Sequence, residues 1–408
     1  MRIRSITSFF DPSFPSIDQD LARLASLSEN LRATINAQVI PVLSTRLATV
    51  PFPYYLSGLS NTKQQSMVAA LGQKARELGW QYLSLGPALP DHPWSYAAIP
   101  QLLSIAGDIF CSAVIADERC IYPAAVRASA NVIRETAILT PDGFANLRFA
   151  ALANVAPGAP FLPAAYHKHA SPPAISIAVE CADAVLTAFD GTTDLEASSA
   201  SLIRQLEDLA AVISSIFTNL ATGSGVDLLG FDFSPAPFPV DWCSLGGAVE
   251  KLGLSHIGGS GSLAAVAVVA NSLDKGNWPR VGFNGMMLPV LEDSVLARRA
   301  EQGLLTIKDL LLYSTVCGTG LDTIPLAGAT TQEQLESILM DVAALSVRLA
   351  KPLTARLMPI PGKAPGDATG FDFEYFASSR VMALEGQELK SPLNGDTPII
   401  LQPRNRRD

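Results

Sequence analysis

Short apolar segments alternate with longer amphipathic segments along almost the whole chain. The short segments have the length and continuous apolar character of strands that are buried on both faces. The longer segments have helical periodicity, and several are bounded by capping residues. Because a helix between two strands brings the chain back in parallel, this order predicts an α/β fold with a largely parallel sheet. The predicted strands are 3–10, 38–46, 81–87, 146–153, 174–180, 227–234, 281–289, 321–326 and 353–360, and the predicted helices are 18–36, 63–79, 96–117, 122–139, 196–221, 261–274, 293–302, 306–316 and 331–350.

The number of strands favours a closed barrel over a doubly wound nucleotide-binding sheet. No glycine-rich phosphate fingerprint opens the first strand–helix unit. The glycine-rich turn 258–262 lacks the lysine of a phosphate loop, and helix capping explains it best. No nucleotide or flavin motif is therefore identified. We expect residues 1–408 to form one α/β-barrel domain, with 361–370 as a loop at the barrel mouth and 391–408 as a C-terminal tail.

Charge and composition exclude several classes of partner. The net charge of −9 comes without a long acidic or basic run, whereas nucleic acid and anionic membranes require clustered lysine and arginine. No segment offers about twenty uncharged apolar residues for a membrane span, and the first ten residues lack a signal-peptide core. The five cysteines have no metal-ligand spacing. We expect a soluble cytoplasmic protein with reduced thiols and, by the usual symmetry of oligomers, a homodimer.

Polar chemistry is most concentrated in segment 161–167, Phe-Leu-Pro-Ala-Ala-Tyr-His. The imidazole pKa lies nearest neutrality, so His167 is a candidate general base or metal ligand, with Tyr166 beside it as a substrate contact. Glu180 follows thirteen residues later and would be its orienter or a second ligand. A structural histidine at a strand end explains His167 equally well. Since the spacing matches no established metal motif, a divalent ion is only one alternative, and the cofactor remains unknown.

Two further charged residues interrupt apolar strand segments. Asp232 lies between Phe231 and Phe233, so strand alternation places its carboxylate on the face opposite the two rings. A buried carboxylate requires a partner or a ligand, which makes Asp232 a candidate acid, base or ligand. Arg356 is the matching cation, and it either pairs with Asp232 or binds a substrate carboxylate through its fork of N–H donors.

Three other residues are candidates of the same kind. Arg148 and Asn284 lie in apolar segments and would contact substrate, although structural roles are at least as well supported. Cys317 directly follows a predicted helix, in the turn Val-Cys-Gly-Thr-Gly-Leu-Asp that ends at Asp322. A buried thiol behind a helix C-cap is the simpler explanation. The alternative is that this tight loop presents Cys317 or Asp322 to the barrel interior.

Several of these segments together resemble an uncharacterised prokaryotic family called domain of unknown function 711. The resemblance covers nearly the whole chain. It implies the ten-stranded α/β barrel of pyruvate formate-lyase and ribonucleotide reductase, in which two parallel five-stranded halves run antiparallel to each other. The family carries no established reaction, so it implies no catalytic residues. The matching segments are 1–7, 143–154, 161–167, 287–293, 316–322 and 352–362.

The radical chemistry of those enzymes is not expected in this chain. Glycyl-radical enzymes carry an Arg-Val-x-Gly-aromatic motif near the C terminus. The nearest segment is 380–384, Arg-Val-Met-Ala-Leu, in which Ala383 replaces the radical glycine. The chain also lacks an adjacent cysteine pair. The barrel is therefore expected to be of this type without the glycyl-radical motif.

Two functions are compatible with these residues. The first is a non-radical enzyme of the lyase or hydrolase type, which would use acid/base or metal-assisted chemistry on a small carboxylated or amino-acid-like metabolite. The alternative is a catalytically inactive metabolite-binding or regulatory protein on the same barrel. An enzyme should place His167 beside a carboxylate and an open cavity, whereas a binding protein could bury it in a closed network. The enzyme would use His167, Asp232, Glu180 and Cys317 for catalysis, His167 and Glu180 for any metal, and Arg356, Arg148, Asn284 and Tyr166 for substrate.

Overall fold

The computed structural model describes residues 1–14 and 17–404, and within them the strands form one mixed sheet. Residues 405–408 of the predicted C-terminal tail lie outside the described residues. The strands are β1 (Arg2–Phe10), β2 (Thr45–Thr49), β3 (Tyr82–Ala88), β4 (Ile109–Ala116), β5 (Cys120–Ile121), β6 (Phe149–Ala153), β7 (Ala174–Glu180), β8 (Asp227–Asp232), β9 (Gly320–Ala327), β10 (Leu353–Ile360) and β11 (Ile399–Ile400). The α/β fold class predicted from the sequence is confirmed.

The helices follow the strands in the order expected for crossover connections. They are α1 (Ile17–Ala37), α2 (Pro53–Leu56), α3 (Asn61–Glu77), α4 (Trp94–Leu103), α5 (Pro123–Ala137), α6 (Ala182–Phe189), α7 (Leu195–Ala221), α8 (Leu245–Glu250), α9 (Ser262–Lys275), α10 (Ser294–Glu301), α11 (Ile307–Tyr313) and α12 (Gln332–Leu349). Over the described ranges, none of these helices combines the length and the hydropathy that crossing a membrane requires.

The sheet contains two sets of strands that run in opposite directions. β1, β2, β3, β4 and β6 are parallel neighbours in that order. β7 pairs antiparallel with β1 on one side, and β10 pairs antiparallel with β6 on the other. β8 extends the first flank and β9 the second, each in parallel. The main path is therefore β8-β7-β1-β2-β3-β4-β6-β10-β9, with β5 and β11 as a small extension beside β4.

The hydrogen-bonded ladder does not close between β8 and β9. Segment 280–289 lies between them and makes one isolated bridge to each, Arg280 with Phe231 and Pro289 with Asp322. The prediction of a regular strand at 281–289 is therefore wrong. The segment contains two glycines and a proline, which weaken or interrupt a strand ladder.

The predicted helix 96–117 is also wrong over its second half. The chain forms α4 as far as Leu103 and then β4 from Ile109 to Ala116. The β4 segment is a short, continuous apolar run, and such a run has no periodicity that separates a buried strand from a buried helix. Gly107 and Asp108 lie in the connection between the two elements. The length of the predicted helix and these two residues together were the available signs that the helix ends early.

Both faces of the main strands are buried, by different parts of the chain. Ile3 and Ile6 of β1 pack in the main core, which also contains residues of the surrounding helices. On the inner face, Phe9 packs with Leu162 and Ala165, which belong to the long connection between β6 and β7. The register against β7 shifts between Ile3 and Ser5, so Arg4 is an extra residue in a bulge. Bulges re-aim side chains, and this one gives Arg4 to the inner face while Ile3 and Ile6 both stay in the main core.

Candidate ligand-binding site

A cavity of about 440 Å³ lies on the inner face of the sheet, at the end where the first set of parallel strands begins. This volume is within the range of small-molecule sites, about 300–1,000 Å³. One part of its wall is apolar and aromatic, and the other part is charged. The apolar part includes Tyr82, Phe110, Phe144, Leu147, Phe161, Phe283, Met287, Phe373 and Tyr375, and the charged part includes Arg4, Arg46, Glu292, Asp322 and Arg356.

The charged wall begins with ion pairs on β1 and β7. Glu180 is completely buried and accepts hydrogen bonds from Arg2 and from Nη1 of Arg4, the latter at 2.9 Å. The second nitrogen of Arg4, Nη2, donates to Glu292 Oε2 at 2.9 Å. Burial alone would lower the pKa of Arg4, but the charges of Glu292 and Glu180 raise it above its usual value. Glu180 is therefore committed to two guanidinium groups.

The ion pairs continue to β10 and β9. Glu292 Oε1 accepts a hydrogen bond from Nη2 of Arg356 at 2.8 Å, and Nε of Arg356 donates to Asp322 Oδ1 at 2.5 Å. Burial alone would lower the pKa of Arg356, but the charges of Asp322 and Glu292 have the larger effect and raise that pKa. The cation predicted on this strand thus lines the cavity, and it pairs with Glu292 and Asp322 instead of Asp232.

Arg46 on β2 differs from Arg4 and Arg356 because no carboxylate pairs with it in the described part of the chain. Its Nε donates to Ser44 Oγ at 3.1 Å, and its guanidinium lies 5.9 Å from the ring centroid of Tyr82. Burial, together with the positive charge of Arg4, lowers the pKa of Arg46 to about 9. A guanidinium remains protonated at neutral pH, so the cavity carries a positive charge that an anionic ligand would neutralise.

Segment 371–376, Phe-Asp-Phe-Glu-Tyr-Phe, lies directly after the predicted mouth loop 361–370 and covers the cavity. Phe373 packs edge-on against Phe144 with 5.0 Å between ring centroids. The guanidinium of Arg4 lies 5.3 Å from the ring centroid of Tyr375. Asp372 and Glu374 alternate with these rings and are exposed, and Glu374 lines the cavity together with Phe373 and Tyr375.

Arg148 lines the cavity as predicted, but its donors are used within the protein. Nη1 donates to the carbonyl oxygens of Leu103, Ala106 and Ile109 at 2.7, 2.8 and 3.2 Å. The Leu103 carbonyl belongs to the end of α4, where negative partial charge accumulates, and the other two belong to the turn that follows and to the first residue of β4. Burial lowers the pKa of Arg148, and the carbonyl dipoles compensate its charge. Arg148 is therefore a structural cap as well as a wall residue.

His167 lies outside the cavity wall, in a closed network. Its ring is 2% exposed, and Nε2 is 3.0 Å from the carbonyl oxygen of Pro172 and 3.3 Å from that of Ser171. Two carbonyl acceptors place the proton on Nε2, and Nδ1 is buried without a partner among the described residues. Burial lowers the pKa of His167. The structure thus gives this residue the environment expected of a structural histidine.

His167 and Glu180 are not brought together. The ring of His167 packs against Phe9, whereas Glu180 pairs with Arg2, so the two residues lie near opposite ends of β1. Seven residues of strand separate those ends by about 23 Å, at roughly 3.3 Å per residue. Within residues 1–14 and 17–404, no group of three or more His, Cys, Asp or Glu side chains could hold a metal ion. The structure therefore does not assemble the ion-binding pair that the sequence analysis considered.

A His167→Gln variant is expected to make stability less sensitive to acid. The folded state holds the imidazole neutral, whereas the unfolded chain takes up a proton as pH falls through the ordinary pKa of 6.5. His167 therefore lowers the free energy of unfolding by about 1–2 kcal/mol as pH falls from 7 to 5. Glutamine does not titrate, so the variant should not show this part of the acid-induced loss. Urea denaturation at both pH values measures it, with His92→Gln at a partly exposed position as the control. Equal acid losses in wild type and His167→Gln would contradict this account.

Asp232 and Asn284 form a second closed network, at the junction of β8 and segment 280–289. Asp232 is fully buried and accepts from the backbone N–H groups of Phe283 at 2.7 Å, Asn284 at 3.0 Å and Ser234 at 3.0 Å. It also accepts from the Ser234 hydroxyl at 2.7 Å. Burial raises the pKa of Asp232 above its usual value, although these hydrogen bonds act to lower it. The Asn284 amide is also used within the protein, because its oxygen accepts from the Trp278 indole at 2.9 Å.

An Asp232→Asn variant is expected to lose about 2 kcal/mol of stability, because one amide hydrogen-bond donor would then face the N–H group of Phe283. Gly282 adds to the constraint, since a Cβ there would lie 2.2 Å from Asp232 Oδ2. Chemical denaturation of the variant measures the loss. Asp227→Asn is the matched control, because Asp227 is exposed on the same strand and should change stability by less than about 0.5 kcal/mol. If Asp232→Asn left the stability unchanged, Asp232 would not be needed by the fold and would be available for ligand contact.

Cys317 and Tyr166 are likewise engaged with the backbone. The thiol of Cys317 donates to the carbonyl oxygen of Met286 at 2.7 Å, and burial raises its pKa to about 12, which disfavours the reactive thiolate. The hydroxyl of Tyr166 donates to the carbonyl oxygen of Val155 at 2.7 Å. The helix C-cap predicted beside Cys317 is not found there, because α11 ends at Tyr313 with Ser314 as its C-cap, and the buried thiol lies in the turn between α11 and β9.

A base–orienter pair does occur, but it involves a different histidine. Nδ1 of His169 lies 2.8 Å from Oδ2 of Asp11, at the end of β1 remote from the cavity. The Asp11 carboxylate is buried, yet hydrogen bonds from Ser13 and Ala170 and the His169 contact hold its pKa below the usual value. Asp11 was not singled out from the sequence, since nothing local links it to residues so far along the chain.

Sequence reasoning also missed Arg4, Arg46 and Glu292. A signal was present for the two arginines, because each lies in a strand between two buried neighbours. The same pattern had singled out Arg148 and Arg356. No local signal marks Glu292, which reaches Arg4 and Arg356 only through the tertiary fold.

The comparisons with known proteins agree with the resemblance found in the sequence. A family model described as "Uncharacterised ACR (DUF711)" matches residues 1–378. A UPF0210 protein of Methanopyrus kandleri is 29% identical over 346 residues, which cover 80% of this chain and 76% of the relative. One of Clostridium perfringens is 26% identical over 378 residues, covering 88% and 82%. One of Pyrobaculum aerophilum is 34% identical over 250 residues, covering 60% of this chain and 55% of the relative.

Proposed function

This chain belongs to the uncharacterised family DUF711, and we propose that it binds a small organic carboxylate with an apolar body in the cavity. The observation that carries this proposal is Arg46, a guanidinium of the cavity wall that has no carboxylate partner in the described residues and, unlike Arg148, makes no hydrogen bond from Nη1 or Nη2 within them. A guanidinium can hold a carboxylate through two parallel N–H···O bonds, a geometry that lysine cannot provide. Occupancy by such an anion would neutralise the uncompensated charge.

The rest of the wall fits the apolar body of such a ligand. Tyr82, Phe161 and Phe283 line the same cavity as Arg46, and Phe373 and Tyr375 cover it. Small-molecule sites usually combine a mainly apolar lining with a few placed polar groups. A ligand with one anionic end and a flat or branched apolar portion would use both kinds of wall.

The arrangement favours the metabolite-binding alternative over a lyase or hydrolase. His167 is buried in a structural network and lies outside the cavity, and no histidine or cysteine is among the described residues of the cavity wall. Of the two glutamates of the wall, Glu292 is held by two arginines, and Glu374 lies on the exposed side of segment 371–376. An enzyme acting in this cavity would have to use Asp322, Glu374 or a tyrosine hydroxyl as its acid or base.

We also infer that the sheet closes into a ten-stranded barrel of the pyruvate formate-lyase and ribonucleotide reductase type. Two observations support this inference. The two sets of strands run antiparallel to each other, and segment 280–289 bridges β8 on one side and β9 on the other. Counting that segment, each set has five members. The homodimer and the cytoplasmic location predicted from the sequence remain predictions, and light scattering of the purified chain would test the first.

Isothermal titration calorimetry with phenylacetate at pH 7 tests the proposed function. Phenylacetate should bind, and phenylacetamide, its neutral analogue, should bind much more weakly. Arg46→Met should weaken phenylacetate binding by about 10–100-fold, the usual value of a hydrogen-bonded charge. Arg46→Lys should recover part of the affinity, because it keeps the charge and loses the fork. Arg134→Met, at an exposed position on α5, should bind as the wild type does, and equal binding by Arg46→Met would refute the proposal.

A further inference from the structure

Asp322 differs from the other carboxylates in the chain of ion pairs because one of its oxygens is unused. Its Oδ1 accepts from Nε of Arg356 at 2.5 Å, whereas no donor of the described residues contacts Oδ2. Glu292 and Glu180, in contrast, each accept guanidinium hydrogen bonds at both oxygens. Asp322 lines the cavity, and its side chain is 11% exposed. Oδ2 of Asp322 is therefore an acceptor that a ligand can use, in addition to the Arg46 donor.

The acceptor and the donor lie on facing walls. Arg46 is on β2 and Asp322 is on β9, which are five strand-to-strand steps apart along the sheet. Those steps correspond to about 24 Å of sheet, at roughly 4.8 Å per step. Since both residues line one cavity, the sheet must curve around it and bring β2 and β9 opposite each other. The pairs Arg4–Glu292 and Glu292–Arg356 connect the two sides.

We propose that the ligand has two functional ends: a carboxylate that Arg46 binds, and an ammonium or hydroxyl donor, at the far end of the apolar body, that Oδ2 of Asp322 accepts. This inference depends on the proposed function and names the ligand class of the same site. A donor next to the carboxylate would remain on the Arg46 side, close to other cations. A second anion at the far end would face Asp322 and be rejected.

A series of phenylacetates tests the inference by calorimetry on the full chain at pH 7. Compared with phenylacetate, 4-(aminomethyl)phenylacetate carries an ammonium group at the far end, and phenylglycine carries one beside the carboxylate. The far ammonium should lower Kd about tenfold, while phenylglycine should show no gain. A third compound, 4-carboxyphenylacetate, should bind more weakly than phenylacetate.

Asp322→Asn is the matched variant. Its amide oxygen can still accept from Nε of Arg356, so the amide N–H₂ donor replaces the free oxygen that faces the cavity. In this variant the ratio of the Kd for phenylacetate to that for 4-(aminomethyl)phenylacetate should fall from about ten to about one, and 4-carboxyphenylacetate should bind better than it does to the wild type. Melting temperature establishes that the variant is folded. If it is not folded, the comparison of ligands on the wild type still decides.

Equal affinity of the wild type for phenylacetate and 4-(aminomethyl)phenylacetate would overturn the inference, as would a gain that persists in Asp322→Asn. An equal gain from phenylglycine would also overturn it, because the donor would then be beside the carboxylate. Failure of phenylacetate to bind through Arg46 is a separate result. It would remove the proposed function, and this inference with it.

Discussion

Replacing Glu292 with glutamine is expected to lower the free energy of unfolding by about 3–5 kcal/mol, the usual cost of breaking a buried ion pair from one side. The two oxygens of Glu292 accept from Arg4 at 2.9 Å and from Arg356 at 2.8 Å. All three side chains are nearly buried, with 8–13% of each exposed. Glutamine would offer one acceptor, direct an amide donor at a guanidinium, and leave two like charges facing each other across the wall.

Urea denaturation followed by circular dichroism measures this loss. Glu301→Gln is the control, because the Glu301 pair with Arg380 is exposed and its atoms are 3.5 Å apart. A surface pair of this kind contributes about 0–1 kcal/mol. If Glu292→Gln lost no more than this control, Glu180 and Asp322 alone would compensate Arg4 and Arg356, and the Glu292 link of the ion pairs would not stabilise the fold.

An Arg46→Met variant is expected to be more stable than the wild type in the absence of ligand, by about 1–3 kcal/mol. An unpaired guanidinium in the wall has lost hydration without gaining a carboxylate. Methionine has a similar unbranched stem and would pack against the apolar part of the cavity. The same change should remove carboxylate binding, so stability and function are expected to move in opposite directions, as they often do at sites kept for a ligand.

The melting temperature of dialysed, ligand-free protein tests this expectation. Arg148→Met is the matched control, because Arg148 lines the same cavity but donates to three carbonyl oxygens. Its loss should destabilise the protein, since buried carbonyls would be left without donors. If both variants were destabilised alike, Arg46 would be a structural residue, and its unpaired charge would not indicate a ligand.

The sequence predicted the fold class because a strand that is buried on both faces is recognisable from its own short, apolar composition. Segments such as Ala174–Glu180 are short and apolar, and helices such as Gln332–Leu349 carry their own capping box, so each can be assigned without its neighbours. The errors occurred where local signals are ambiguous. Ile109–Ala116 is a buried strand whose apolar run equally fits a helix, and 281–289 is too rich in glycine and proline to form a regular ladder.

The candidate site was predictable only in part. Arg148 and Arg356 could be singled out because a lone cation in an apolar strand requires an explanation, and both line the cavity. The sequence pattern did not indicate which residues Arg148 and Arg356 contact. His167 illustrates the opposite case, because an unusual residue type in an apolar setting turned out to be held by backbone carbonyls.

The sequence by itself therefore determined the α/β class, the family and the presence of charged residues inside apolar strands. Only the tertiary structure decided which of those charges meet a partner. Arg4, Glu292 and Arg356 are separated by 288 and 64 positions along the chain, and only the curvature of the sheet brings them into contact. Pairing depends on distances of about 3 Å in space, and separation along the chain carries no information about them. For that reason the unpaired Arg46, and with it the proposed site, became visible only in the folded protein.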